Sequence, residues 1–132
     1  MSGESHALDP KLLSCPVART AEIIGTKWTP LILRDLSKGR TRFGELQRSL
    51  IGISPKTLSE RLKRLEEWDV VERTCFAEVP PRVEYTLTPK GEALLPIIES
   101  MRAFGRQWLP LDDCPLSDAD PAAALVTSSA AD

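Results

Sequence analysis

The apolar spacing of the chain switches period at Asp69, and that switch limits the available folds more than any other feature. Before it, Leu58, Leu62 and Leu65 recur four and three apart, the spacing of one α-helical face. Ser54-Pro55 opens that helix. Serine caps the first free N–H groups, and proline, which has no N–H, suits the first helical position. Trp68 ends it, and Asp69 fits a left-handed turn. After Asp69, the run Val70-Val71-Glu72-Arg73-Thr74-Cys75-Phe76 is rich in β-branched residues and reads as a strand. Arg82-Val83-Glu84-Tyr85-Thr86-Leu87 alternates polar and apolar, so a second strand follows the break at Pro80-Pro81. Upstream, Thr41 or Arg42 opens a short helix carrying Phe43, Leu46 and Leu50, and Ile51-Gly52-Ile53 is a tight turn. Two helices about a short glycine turn, then a hairpin, describe a winged helix-turn-helix.

Further helices flank this unit. Pro16 starts one that carries Val17, Ala21 and Ile24 and ends at Gly25. The next, from about Lys27 to Leu36, is apolar almost all round and is therefore central and buried, with Gly39 as its C-terminal cap. Thr88-Pro89 opens the last helix, which Pro96 should bend. In it Leu94, Met101 and Trp108 stand seven apart, as do Ile97 and Phe104, the seam that one helix shows to another. A lone small domain would leave that seam exposed, so a homodimer is expected. The fold class is thus mainly α with a small β-hairpin, a winged helix-turn-helix with a C-terminal dimerisation helix, to which the resemblance described below adds an N-terminal one. Residues 1–12 read as a flexible arm, 13–111 as the folded domain, and 112–132 as an acidic, disordered tail with five aspartates and no basic residue.

Composition removes other classes. The chain has 132 residues, 42% hydrophobic and 27% charged, enough for one domain with a real core. No apolar run approaches the ~18 residues of a membrane span, and no apolar stretch follows a basic start, so a cytoplasmic protein that does not engage membranes is expected. Cys15, Cys75 and Cys114 are odd in number and form no CxxC pair, and His6 is the single histidine. A histidine-dependent nucleophile, a metal centre and a phosphate loop all lack their residues. Neither an enzyme nor a bound cofactor is expected.

The net charge of −2 says nothing for nucleic acid, but its distribution does. Lys38, Arg40, Arg42, Arg48, Lys56, Arg61, Lys63 and Arg64 meet only Glu45 and Glu60 between residues 38 and 64, a local excess of six. With the leucines turned inward, the helix after Ser54 presents Lys56, Thr57, Ser59, Glu60, Arg61, Lys63 and Arg64. Lysine and arginine can bond phosphates or guanine edges, Ser and Thr either, and Glu can accept from cytosine. Double-stranded DNA is the expected partner through these residues, Ser54 and Arg42. The rival reading is a winged-helix protein-interaction module without DNA binding, which would show an acidic or apolar recognition face; this one is basic.

The ordered motifs resemble the HxlR-type winged-helix transcriptional regulators. They are Cys15-Pro16-Val17, Gly25-Thr26-Lys27-Trp28 with Leu31-Ile32-Leu33, Arg42-Phe43-Gly44-Glu45-Leu46, and Gly52-Ile53-Ser54 with Leu58-Ser59-Glu60-Arg61-Leu62. Leu65-Glu66, residues 80–88 from Pro80-Pro81 to Thr88, Gly91, Leu95-Pro96 and Trp108 complete the set, over roughly residues 14–109. Thr26 stands where a second glycine is usual, Asp69 where Gly is common and Cys75 where an aromatic is frequent. The resemblance implies a homodimeric DNA-binding regulator, read here as a repressor of an operator. It implies a dimer interface of the N-terminal segment and last helix, a recognition helix over residues 54–68 and a wing over residues 73–85.

Four residues carry open alternatives. Cys15, placed as the N-cap before Pro16, is either a redox or electrophile sensor, as in some members of the resembling family, or a packing residue. Trp28 and Trp108 either line a pocket for a small-molecule effector or are core. Arg82 is either a minor-groove finger of the wing or a solvated hairpin residue. Cys75 is expected as inert core or strand edge, and Cys114 as exposed and incidental.

Overall fold

The computed structural model describes residues 10–111, so the arm as far as residue 9, His6, the tail 112–132 and Cys114 lie outside the described residues. Two compact units divide after Ser100. The elements of the first are helices α1 (Pro10–Leu13), α2 (Pro16–Ile24), α3 (Trp28–Ser37), α4 (Phe43–Ser49) and α5 (Pro55–Glu67). Strands β1 (Val71–Phe76) and β2 (Arg82–Leu87), the short helix α6 (Pro89–Glu92) and the start of α7 (Leu95–Trp108) follow.

Local signals place these elements. The Ser54 hydroxyl accepts the Thr57 N–H at 3.1 Å, so α5 starts where the Ser-Pro pair predicts. It ends in a Schellman arrangement. Asp69 adopts φ 62°, its N–H reaches the Glu66 carbonyl, and the Val70 N–H reaches the Leu65 carbonyl at 2.9 Å. Leu65 and Val70 are both buried there, which reinforces the stop. Gly52, at φ 98°, makes the turn between α4 and α5, and Gly39, at φ 90°, follows α3. Thr26 has a use of its own: its hydroxyl accepts the Thr29 N–H at the start of α3.

The core gathers Ile32, Leu33 and Leu36 of α3, Leu46 of α4, and Leu58, Leu62 and Leu65 of α5. Leu50, Ile53, Val70, Val71, Leu94 and Ile98 complete it. The central, buried α3 agrees with its apolar sequence. The hairpin is antiparallel, from Val71 opposite Leu87 to Phe76 opposite Arg82, with residues 77–81 as its loop. Its exit is tied down by Thr88, whose hydroxyl lies 2.6 Å from the Asp69 carbonyl and accepts the Gly91 N–H.

Two expectations about the helices change. The segment after Thr88 is not one bent helix: α6 ends at Glu92, and α7 starts anew at Leu95. Pro96 therefore lies in a first turn, where its missing N–H costs nothing, and it bends no helix. The expected seam divides accordingly. Leu94, before α7, and Ile98 are buried, whereas Ile97, Met101, Phe104 and Trp108 form the exposed line at four- and three-residue steps. The second unit carries the last three of these.

Candidate nucleic-acid interface

Helix α5 points Leu58, Leu62 and Leu65 into the core, so the opposite line of the helix is Lys56, Glu60, Lys63 and Glu67. All four are exposed, as are Ser54 and Ser59. Lys56 and Lys63 make no hydrogen bond or ion pair with the described residues and are available to phosphates. The other expected contacts are partly committed. Thr57 is half-buried, and its hydroxyl accepts that of Ser54 at 3.0 Å. Arg61 is half-buried, with a buried Nε that has no partner. Arg64 lies 3.8 Å from Glu67 and 5.2 Å from the Trp68 ring centroid.

Arg42 is the N-cap residue of α4 and is exposed. Its own side chain is no cap, since a guanidinium has no acceptor. The cap is Glu45, whose Oε1 accepts the N–H groups of Thr41 and Arg42 at 3.0 and 3.1 Å. The Thr41 carbonyl accepts the Tyr85 N–H at 2.8 Å, which holds this corner against β2. Arg42, Glu78, Val79, Pro80, Pro81, Arg82 and Val83 line a cavity of about 410 Å³ beside the hairpin loop.

The charge count hid one residue. Asp35, in the middle of α3, is fully buried. Its Oδ1 takes Arg34 at 3.1 Å and Arg40 at 3.6 Å, and its Oδ2 is buried without a partner. Arg40, counted above as part of the basic excess, is therefore engaged from outside the 38–64 window, although one carboxylate between Arg34 and Arg40 leaves that cluster net positive. The available signal was a lone carboxylate inside an otherwise apolar helix, which burial permits only when it is paired.

Arg82 is also engaged. Glu78 lies 2.9 Å from it, Glu84 forms a second ion pair, and the Phe76 ring lies beneath at 4.0 Å. Trp28 packs against the core and carries Lys27 over its ring, whereas Trp108 is exposed. Cys15 is the N-cap of α2 and exposed. Its thiol makes no capping hydrogen bond of proper geometry. Even so, the N–H groups of Ala18 first and Val17 next, with the charge of Arg19, hold its pKa below the ordinary thiol value. Cys75 is exposed on β1 rather than in the core.

Among the described residues no helix is long and apolar enough to cross a membrane, and no group of His, Cys, Asp or Glu is arranged to hold a metal ion. The HxlR-like helix-turn-helix family model matches residues 23–113. A helix-turn-helix transcriptional regulator of Synechocystis is 40% identical over 103 residues, 78% of this chain and 76% of that one. The reduced form of the transcriptional regulator YodB from Bacillus subtilis superposes with a TM-score of 0.63 at 41% identity, over 71% of this chain and 93% of that chain. The redox regulator HypR in its oxidized form gives a TM-score of 0.69 at 35% identity, over 76% of this chain and all of that one. The family match, the helix-turn-helix geometry and the hairpin agree: this chain belongs to the HxlR-like helix-turn-helix family and is a winged-helix transcriptional regulator.

Proposed function

We propose that the protein is a homodimeric, sequence-specific DNA-binding repressor whose affinity responds to thiol chemistry at Cys15. The observation that carries DNA binding is the exposed face of α5, where Lys56 and Lys63 stand uncommitted beside Ser59 and Glu60. A helix of this width enters the major groove, where the lysines meet phosphates or guanine and the shorter side chains read base edges. Ser54 and Thr57 serve first to cap the helix, and the Thr57 hydroxyl, which accepts from Ser54, keeps its own O–H to donate to a flanking phosphate. Dimerisation is supported by the exposed line of Ile97, Met101, Phe104 and Trp108, and by Val17 of α2, which is 75% exposed. Two recognition helices one DNA turn apart, ~34 Å, would cover two half-sites and exclude polymerase from the same stretch.

The thiol response is supported by the exposed, dipole-activated Cys15 and by the kinship with HypR, a redox regulator. An adduct or disulfide in the N-terminal segment would shift one protomer against the other and spoil the half-site spacing. The test is selection from a random duplex library, followed by titration of the selected duplex before and after a thiol oxidant, with sedimentation at micromolar concentration. Expected are a mass of two chains, one enriched pseudo-palindrome and weaker binding after oxidation that Cys15→Ser abolishes. A monomer, or no enrichment over random duplex, defeats the proposal.

A further inference from the structure

We infer that Arg82 is a positioning residue that sets the wing loop, and that the charge meeting DNA at the foot of the wing is Arg42. The inference rests on the DNA-binding reading above. Arg82 stands opposite Phe76 in the last pair of the hairpin ladder. Its guanidinium lies over that ring, with Glu78 of the loop on one nitrogen and Glu84 of β2 on another. The end of β1, the loop and β2 are thus tied through one side chain, which is 28% exposed. Its Nε is buried as well, so the group is packed rather than poised.

The charge balance points the same way. One arginine between two glutamates leaves the cluster net negative, and a phosphate approaching it meets carboxylates. To enter a minor groove, Arg82 would have to leave both carboxylates and the ring face at once. Arg42 stands differently. It is exposed, and its side chain makes no hydrogen bond or ion pair with the described residues. It lines the same cavity as the wing loop, whose other walls are Glu78, Val79, Pro80, Pro81, Arg82 and Val83. The Thr41–Tyr85 and Glu45 bonds hold its backbone at that corner. A strand seated there would meet Val79 and the two prolines with its sugar, and Arg42, the cation of that cavity not already held by carboxylates, would take its phosphate.

The test uses the full chain with the selected duplex and a mixed-sequence duplex. Binding is titrated against salt for the wild type, Arg42→Gln, Arg82→Gln and Arg82→Lys, and amide exchange is followed in the free protein. Arg42→Gln should lower the log–log salt slope by about two for a dimer, because each lost phosphate contact removes about 0.9. It should leave exchange at residues 77–79 unchanged. Both Arg82 variants should keep the wild-type slope yet exchange about five- to tenfold faster at residues 77–79 and 82–84, since lysine keeps the charge but cannot fork between two carboxylates. The inference is overturned if Arg82→Gln lowers the slope while exchange stays slow, or if Arg42→Gln leaves the slope unchanged. If the wild type binds neither duplex, the DNA-binding reading and the Arg42 assignment fall together, and exchange in the free protein still decides the role of Arg82.

Discussion

Replacing Lys56 and Lys63 together by Gln should halve the salt dependence of DNA binding and leave the fold untouched. Arg42, Arg48, Lys56 and Lys63 make no hydrogen bond or ion pair among the described residues and are exposed, whereas Arg40 is held by Asp35, Arg64 by Glu67 and Arg82 by two glutamates. Four uncommitted cations per protomer mean about eight phosphate contacts in a dimer, a log–log slope near −7, and a loss on the order of 10⁴ in affinity between 50 and 200 mM salt. The double variant keeps about four contacts, so its slope should be near −3.6 and its loss over the same range on the order of 10². Fluorescence anisotropy of a labelled duplex at five or six salt concentrations measures both. Lysine and glutamine have similar helix propensity, and neither lysine is buried or bonded, so the melting temperature should move by no more than a degree or two. An unchanged slope would refute the assignment of these lysines to phosphates. A large fall in melting temperature would show that they hold the structure instead.

Three other outcomes are expected. Leu62→Ala in the fully packed side of α5 should cost about 3–4 kcal/mol in denaturant unfolding, and a loss below 1 kcal/mol would mean the core does not close over that helix. Asp69→Gly should stabilise the protein by about 0.5–1 kcal/mol, because glycine adopts the φ of 62° without the Cβ penalty; destabilisation would show that the aspartate side chain has a use there. With Cys75 and Cys114 replaced by Ser, Cys15 should label fastest as thiolate. The N–H groups that lower its pKa raise the thiolate fraction at neutral pH, so the pH–rate curve should have its midpoint below the ~8.5 of a free cysteine. An ordinary midpoint removes the activation and leaves Cys15 as a surface residue.

What the sequence alone determined was local. Ser54-Pro55 placed the start of α5, Asp69 its left-handed stop, Gly52 the turn before it, and the change of period placed the hairpin. Caps, left-handed residues and side-chain periodicity act within about four residues, so their signals are complete in the string. The apolar spacing joins Leu94, Pro96 and Ile97 into one helix, across a break between Glu92 and Leu95 that shows only where Leu94 turns into the core. The tertiary structure decided which charges are free. Counting cations between residues 38 and 64 marks a basic surface, but Arg40 is bound by a buried aspartate at position 35. Arg82 is bound by Glu78, across the turn of the loop, and by Glu84, two residues along β2. Ion pairs depend on distance in space, and folding sets that distance: strand register brings Arg82 over Phe76, and the close of α3 brings Arg40 to Asp35.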